Sequence, residues 1–89
     1  MGVSDKTHRL VCVQIVRLLQ EERERKKLSR YAVAARSGLS EQMVGYVERR
    51  LRNPSLETVV RLAGGIGVDL ASIIKRAYES VKLDEDKGR

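Results

Sequence analysis

Helix punctuation constrains this chain more than any other feature. Ser4, Ser29 and Ser40 each stand directly before an apolar-periodic stretch. There a hydroxyl can accept from the free N–H groups of a helix's first turn. Ser55, directly after Asn53-Pro54, opens another such stretch, and Asp69 precedes a fifth. Gly38 and Gly67 follow two of them, where a left-handed residue closes a helix. No run alternates apolar and polar residues as a half-buried strand does. The expectation is an all-α chain of five helices. They run from about Asp5 to Lys26, from Ser29 to near Ser37, from Ser40 to near Arg49, from Ser55 into Gly64-Gly65-Ile66-Gly67, and from Asp69 onward.

At 89 residues the chain is one domain, expected over residues 1–83, with 84–89 a short charged, disordered tail. With three Tyr and neither Phe nor Trp, the core must be aliphatic. On the first helix Val11, Cys12, Ile15, Val16, Leu18 and Leu19 form one broad stripe at about 100° per residue. Cys12 reads as a small core residue. Leu10 and Val13 fall outside the stripe, so this helix is expected to bury two surfaces.

Several function classes fall away. One Cys excludes an internal disulfide and suits a reducing compartment. No run of about 20 apolar residues exists to span a membrane. Met1 to Lys6 lacks the basic and apolar regions of a signal peptide, so a soluble, cytoplasmic protein is expected. His8, the sole His, reads as an exposed helix residue, and one His with one Cys cannot make a tetrahedral zinc site. Gly64-Gly65-x-Gly67 follows no strand, so it reads as close packing and a helix end rather than a phosphate loop. No enzyme activity, cofactor or metal is expected.

The charge is segregated. The net charge is +6, and residues 23–52 hold nine basic side chains against three acidic ones, so the rest is neutral. A strongly basic chain favours an anionic partner, nucleic acid or an acidic membrane surface. A solvated surface with no such partner has little reason to gather its charge in one segment.

Two short capped helices joined by a tight turn, over about 29–49, make a helix-turn-helix. Leu28 to Ser40 resembles the first half of that motif in the phage-repressor and Cro-like family, also called the xenobiotic response element family. Gln42-Met43-Val44-Gly45-Tyr46-Val47-Glu48-Arg49-Arg50 resembles its recognition helix. Arg52-Asn53-Pro54-Ser55-Leu56-Glu57-Thr58 resembles its turn into helix 4. The likeness covers about residues 15–77. It implies a compact five-helix repressor-like DNA-binding domain, here with an extended first helix.

The resemblance also implies residue roles. Glu41, Gln42, Gly45 and Tyr46 would face base edges of duplex DNA. Gln42 suits adenine. Glu41 either accepts from a cytosine amino group or merely favours the helix N-terminus. Tyr46 would meet a thymine methyl or a phosphate. Gly45 either allows close backbone approach or does not read. Arg30, Ser40, Arg49, Arg50 and Arg52 would contact the backbone. Lys27 and Arg50 stand where the family usually has Gly, which leaves those turns open. The acid matching Glu48 pairs in the family with an arginine of helix 1, and Arg23 holds that place. Val33, Leu39, Val44 and Val47 are spaced to face the core.

One such unit covers one half-site, so a homodimer is expected, with Leu10, Val13, Val16, Ile73 and Ile74 as candidate partner surface. The expected role is a transcriptional regulator, most simply a repressor on a pseudo-palindromic operator. Alternatives are an antitoxin, which would also have a protein partner, a restriction–modification controller, or a protein-interaction module using the basic face.

Overall fold

The computed structural model describes the backbone of residues 4–87 and the side chains of residues 4–83. Five α-helices follow one another: α1 (Asp5–Arg25), α2 (Arg30–Ser37), α3 (Glu41–Glu48), α4 (Leu56–Ile66) and α5 (Leu70–Lys87). The serine caps form as their positions demand. The Oγ atoms of Ser4, Ser29, Ser40 and Ser55 accept from the backbone N–H of Thr7, Ala32, Met43 and Thr58 at 2.9–3.1 Å. Asp69 instead accepts from the Ser72 hydroxyl at 2.9 Å.

The long helices α1 and α5 pack on each other, and α2 packs on α4 and α3. This gives a molecule of 43 × 23 × 20 Å. The core is aliphatic, with Val33, Val44, Val47 and Ile73 fully buried at its centre. Leu39 is partly buried against it. No helix among the described residues is long and apolar enough to cross a membrane.

Four sequence expectations change. Cys12 is exposed. It shares the angular face of Arg23, which α3 covers, but lies about 16 Å nearer the helix start at 1.5 Å per residue. A helical wheel holds angle and not axial position, so it could not separate the two. Val16 and Ile73, expected as candidate partner surface, are 6% and 2% exposed and belong to this chain's own core. Leu10 and Val13 stay exposed, and Ile74 is half-buried. Finally, α5 continues past residue 83 through Lys87, in the segment expected as a disordered tail. The last two residues of that segment lie outside the described residues.

The glycines of α4 do different work. A Cβ on Gly65 would sit 3.0 Å from both the Val33 carbonyl oxygen and Ser37 Cβ, so α4 crosses α2 with no space between backbones. A Cβ on Gly64 would meet nothing within 4 Å. Gly64→Ala should therefore stabilise by about 1 kcal/mol, the helix-propensity difference. Gly65→Ala should destabilise by about 1–3 kcal/mol through overpacking. Thermal melting of the two variants checks the opposite signs.

Candidate nucleic-acid interface

Eight-residue helices are too short to be stable alone, so α2 and α3 depend on what holds their ends. Gly38, at φ +77°, makes the left-handed turn between them. Arg61 of α4 closes that turn by donating from Nη1 to the Ser37 carbonyl at 3.1 Å. On the other side, Glu48 at the end of α3 is pinned to α1 and α2 together. Arg23 donates to its two oxygens from Nε at 2.6 Å and Nη2 at 2.9 Å. Arg30 donates from Nε at 2.8 Å. The third Arg23 nitrogen, Nη1, donates to the Leu28 carbonyl at 2.8 Å, in the loop from α1 to α2. The side chains of Arg23 and Glu48 are 10% and 6% exposed, so this is a buried ion pair with every polar atom satisfied.

The two turns that lack the expected glycine keep glycine's geometry. Lys27 and Arg50 take φ of +58° and +57°. After α1, the Leu28 and Lys27 N–H groups donate to the Arg23 and Glu24 carbonyls at 3.1 and 3.0 Å. After α3, those of Leu51 and Arg50 donate to the Tyr46 and Val47 carbonyls at 2.9 and 3.0 Å. Each pair of bonds is a Schellman closure, which satisfies carbonyls that a helix end leaves free.

The basic segment divides into two groups. Arg23 and Arg30 belong to Glu48. Arg25 donates from Nη2 to Glu22 at 2.7 Å, a bond that holds the Glu22 carboxyl below the usual carboxylate range. Lys26 caps α4, donating from Nζ to the Ile66 and Gly67 carbonyls at 3.1 and 2.7 Å. Among the described residues, Lys27, Arg36, Arg49, Arg50 and Arg52 have no acidic partner within ion-pair distance. Glu22 lies three residues from Arg25, but sequence could not separate the others, because their internal partners are carbonyls and one acid brought close only by folding.

Glu41, Gln42, Gly45 and Arg49 line one shallow groove on α3, with Arg30 at its edge. The Ser40 oxygen is used to cap α3, which leaves its hydroxyl proton to donate outward. Gln42 Nε2 donates to the Tyr46 hydroxyl at 2.5 Å, one turn along the helix. The Tyr46 ring is flanked in turn by the guanidinium of Arg52 at 5.0 Å and that of Arg49 at 6.0 Å. Tyr46 thus stands between the α3 groove and the loop after it, holding groups of both. Arg30, expected as a backbone contact, is half-committed: it lines the groove and also serves Glu48.

Comparison with known proteins bears on the family and the fold. Residues 19–73 match the model of a family described as helix-turn-helix. The chain is 38% identical over 58 residues to the uncharacterized HTH-type transcriptional regulator y4dJ of Sinorhizobium fredii (strain NBRC 101917 / NGR234), covering 65% of this chain and 75% of that one. Its fold is like that of a crystal structure of a single-residue variant of the restriction-modification controller protein C.Esp1396I. The TM-score is 0.73 at 15% identity, over 80% of this chain and 92% of the other.

Glu48→Ala should cost about 3–5 kcal/mol, because it leaves Arg23 buried without its charge partner. Arg30→Ala, at the exposed side of the same carboxylate, should cost about 1 kcal/mol or less. Denaturant unfolding of both variants measures the difference.

Proposed function

This chain belongs to the helix-turn-helix family of transcriptional regulators, and we propose that it binds duplex DNA sequence-specifically through α3. The observation that carries the reading is the division of the cations. Those that hold the helices together are spent inside the molecule. Those left without acidic partners include Arg49, Arg50 and Arg52, which directly follow α3. A rigid helix with polar side chains on its open face and unpaired cations at its end matches the demands of a major groove. Phosphates set the register, and base edges supply the sequence.

In this reading Gln42 reads a base, with its amide aimed by the Tyr46 hydroxyl. The Ser40 hydroxyl and the N-terminus of α3 take one phosphate. Arg50 and Arg52 take phosphates of the adjacent strand. The protein acts as a homodimer on an inverted repeat, and represses by occupying the operator. Leu10 and Val13, apolar and exposed on α1, are available to a second copy. A repressor, an antitoxin and a restriction–modification controller share this step of operator occupancy, which is the activity proposed.

Binding-site selection from random duplexes tests it. An inverted repeat with half-sites about one helical turn apart is the expected result. Binding without consensus that vanishes as salt rises would leave only non-specific attraction, and would favour a protein partner for the basic face. Gln42→Ala should relax preference at one position per half-site and keep the others. Arg50→Gly should raise stability by about 1 kcal/mol, since a left-handed non-glycine residue is strained. It should also weaken all sequences alike and flatten the salt slope by about one unit. Melting and salt titration of the same sample read both effects.

A further inference from the structure

We propose that Arg49 reads a guanine in the major groove, and that Gly45 is the berth that lets it do so. This rests on the DNA-binding reading above and changes the role that the sequence implied for both residues. Arg49 follows the last residue of α3, where family resemblance places a backbone contact. Its side chain does not project away from the helix end. It runs back along α3 toward the N-terminus, the direction in which Cα–Cβ bonds lean. The guanidinium comes to rest over Gly45, one turn earlier. A Cβ built on Gly45 would lie 3.2 Å from Nη1, 3.3 Å from Nη2 and 3.5 Å from Cζ. The guanidinium therefore fills the space where a side chain of residue 45 would stand, and covers that residue.

Three further observations give this placement a purpose. The guanidinium lies in the groove lined by Glu41 and Gln42, on the face of α3 that would meet base edges. The Arg49 backbone N–H donates to the Gly45 carbonyl at 3.0 Å, but among the described residues no carboxylate or carbonyl accepts from its guanidinium, so those N–H donors are open to a ligand. The Tyr46 ring, 6.0 Å from Cζ, gives the charge an aromatic neighbour on one side.

A phosphate contact would not need such a berth. A cation at a helix end can reach the backbone from any outward rotamer, and a glycine inside an eight-residue helix weakens that helix. A base contact needs the berth, because the fork must stand level with the neighbouring reading side chains. The guanine edge presents two acceptors, O6 and N7, to match two parallel N–H groups. Adenine places its N6 amino donor in the way.

The test uses equilibrium binding to the selected operator and to a series in which each guanine in turn is replaced by 7-deazaguanine, which lacks the N7 acceptor. The parent should lose about tenfold in affinity at one guanine per half-site. Arg49→Gln should be insensitive to that replacement and lose its guanine preference at that position alone. Gly45→Ala, whose methyl displaces the guanidinium, should lose the same preference while its melting temperature rises. Arg49→Gln that weakens every sequence alike, flattens the salt slope by about one unit and keeps the guanine preference would make Arg49 a phosphate contact and overturn the proposal. A parent that binds DNA with no sequence preference would instead remove the DNA-reading function, and this assignment with it.

Discussion

The carboxylate of Glu48 is where three helices meet. It accepts two hydrogen bonds from Arg23 of α1 and one from Arg30 of α2, and it is itself the last residue of α3. Arg23 also holds the Leu28 carbonyl, so the loop between α1 and α2 is tied to the same point. A hydrophobic contact could bring these helices together but would not set their rotation. The forked geometry of guanidinium and carboxylate does set it. The angle at which α3 is presented follows from that constraint. An acid amid nine basic residues looks misplaced for DNA binding until its partners are seen, because the guanidinium groups of Arg23 and Arg30 offset its charge.

The rest of the scaffold answers a problem created by short helices. Helices of eight residues leave more end groups free than they make internal hydrogen bonds, so their ends decide their stability. Serine hydroxyls close the starts. At the finishes, Arg61 and Lys26 donate across the fold to the closing turns of α2 and α4, and Schellman turns close α1 and α3. Lys27 and Arg50 accept left-handed strain at two of these turns. Arg50 also sets a charge beside α3 that glycine would lack.

Much of this was legible in the chain. Serine caps, the glycine turn and apolar spacing predict five helices at nearly the observed bounds. The family's motif places Arg23 opposite Glu48. What misled was always a quantity that lies outside one helix. Cys12 has the angular position of a core residue, but the helices that cover that face do not reach it. Val16 and Ile73 look like spare apolar surface until α1 and α5 pack together and bury them. Arg30 and Lys26 count as surface charge in any tally of the sequence. Each is in fact within bonding distance of an oxygen that is remote along the chain.

By itself, then, the sequence determined local structure and chemical class. Caps, turns and hydrophobic period act over a few residues, and a segregated charge persists in any fold that keeps the segment together. Tertiary structure alone decided which cations are free and which apolar residues stay exposed, while the path of its own side chain along α3 decided where Arg49 sits. Those outcomes depend on distances between groups far apart in sequence or on the path of a flexible side chain. The space over Gly45 shows this most clearly. A missing side chain is written in the sequence, but what fills its place is settled only when the helix is formed and Arg49 lies down along it.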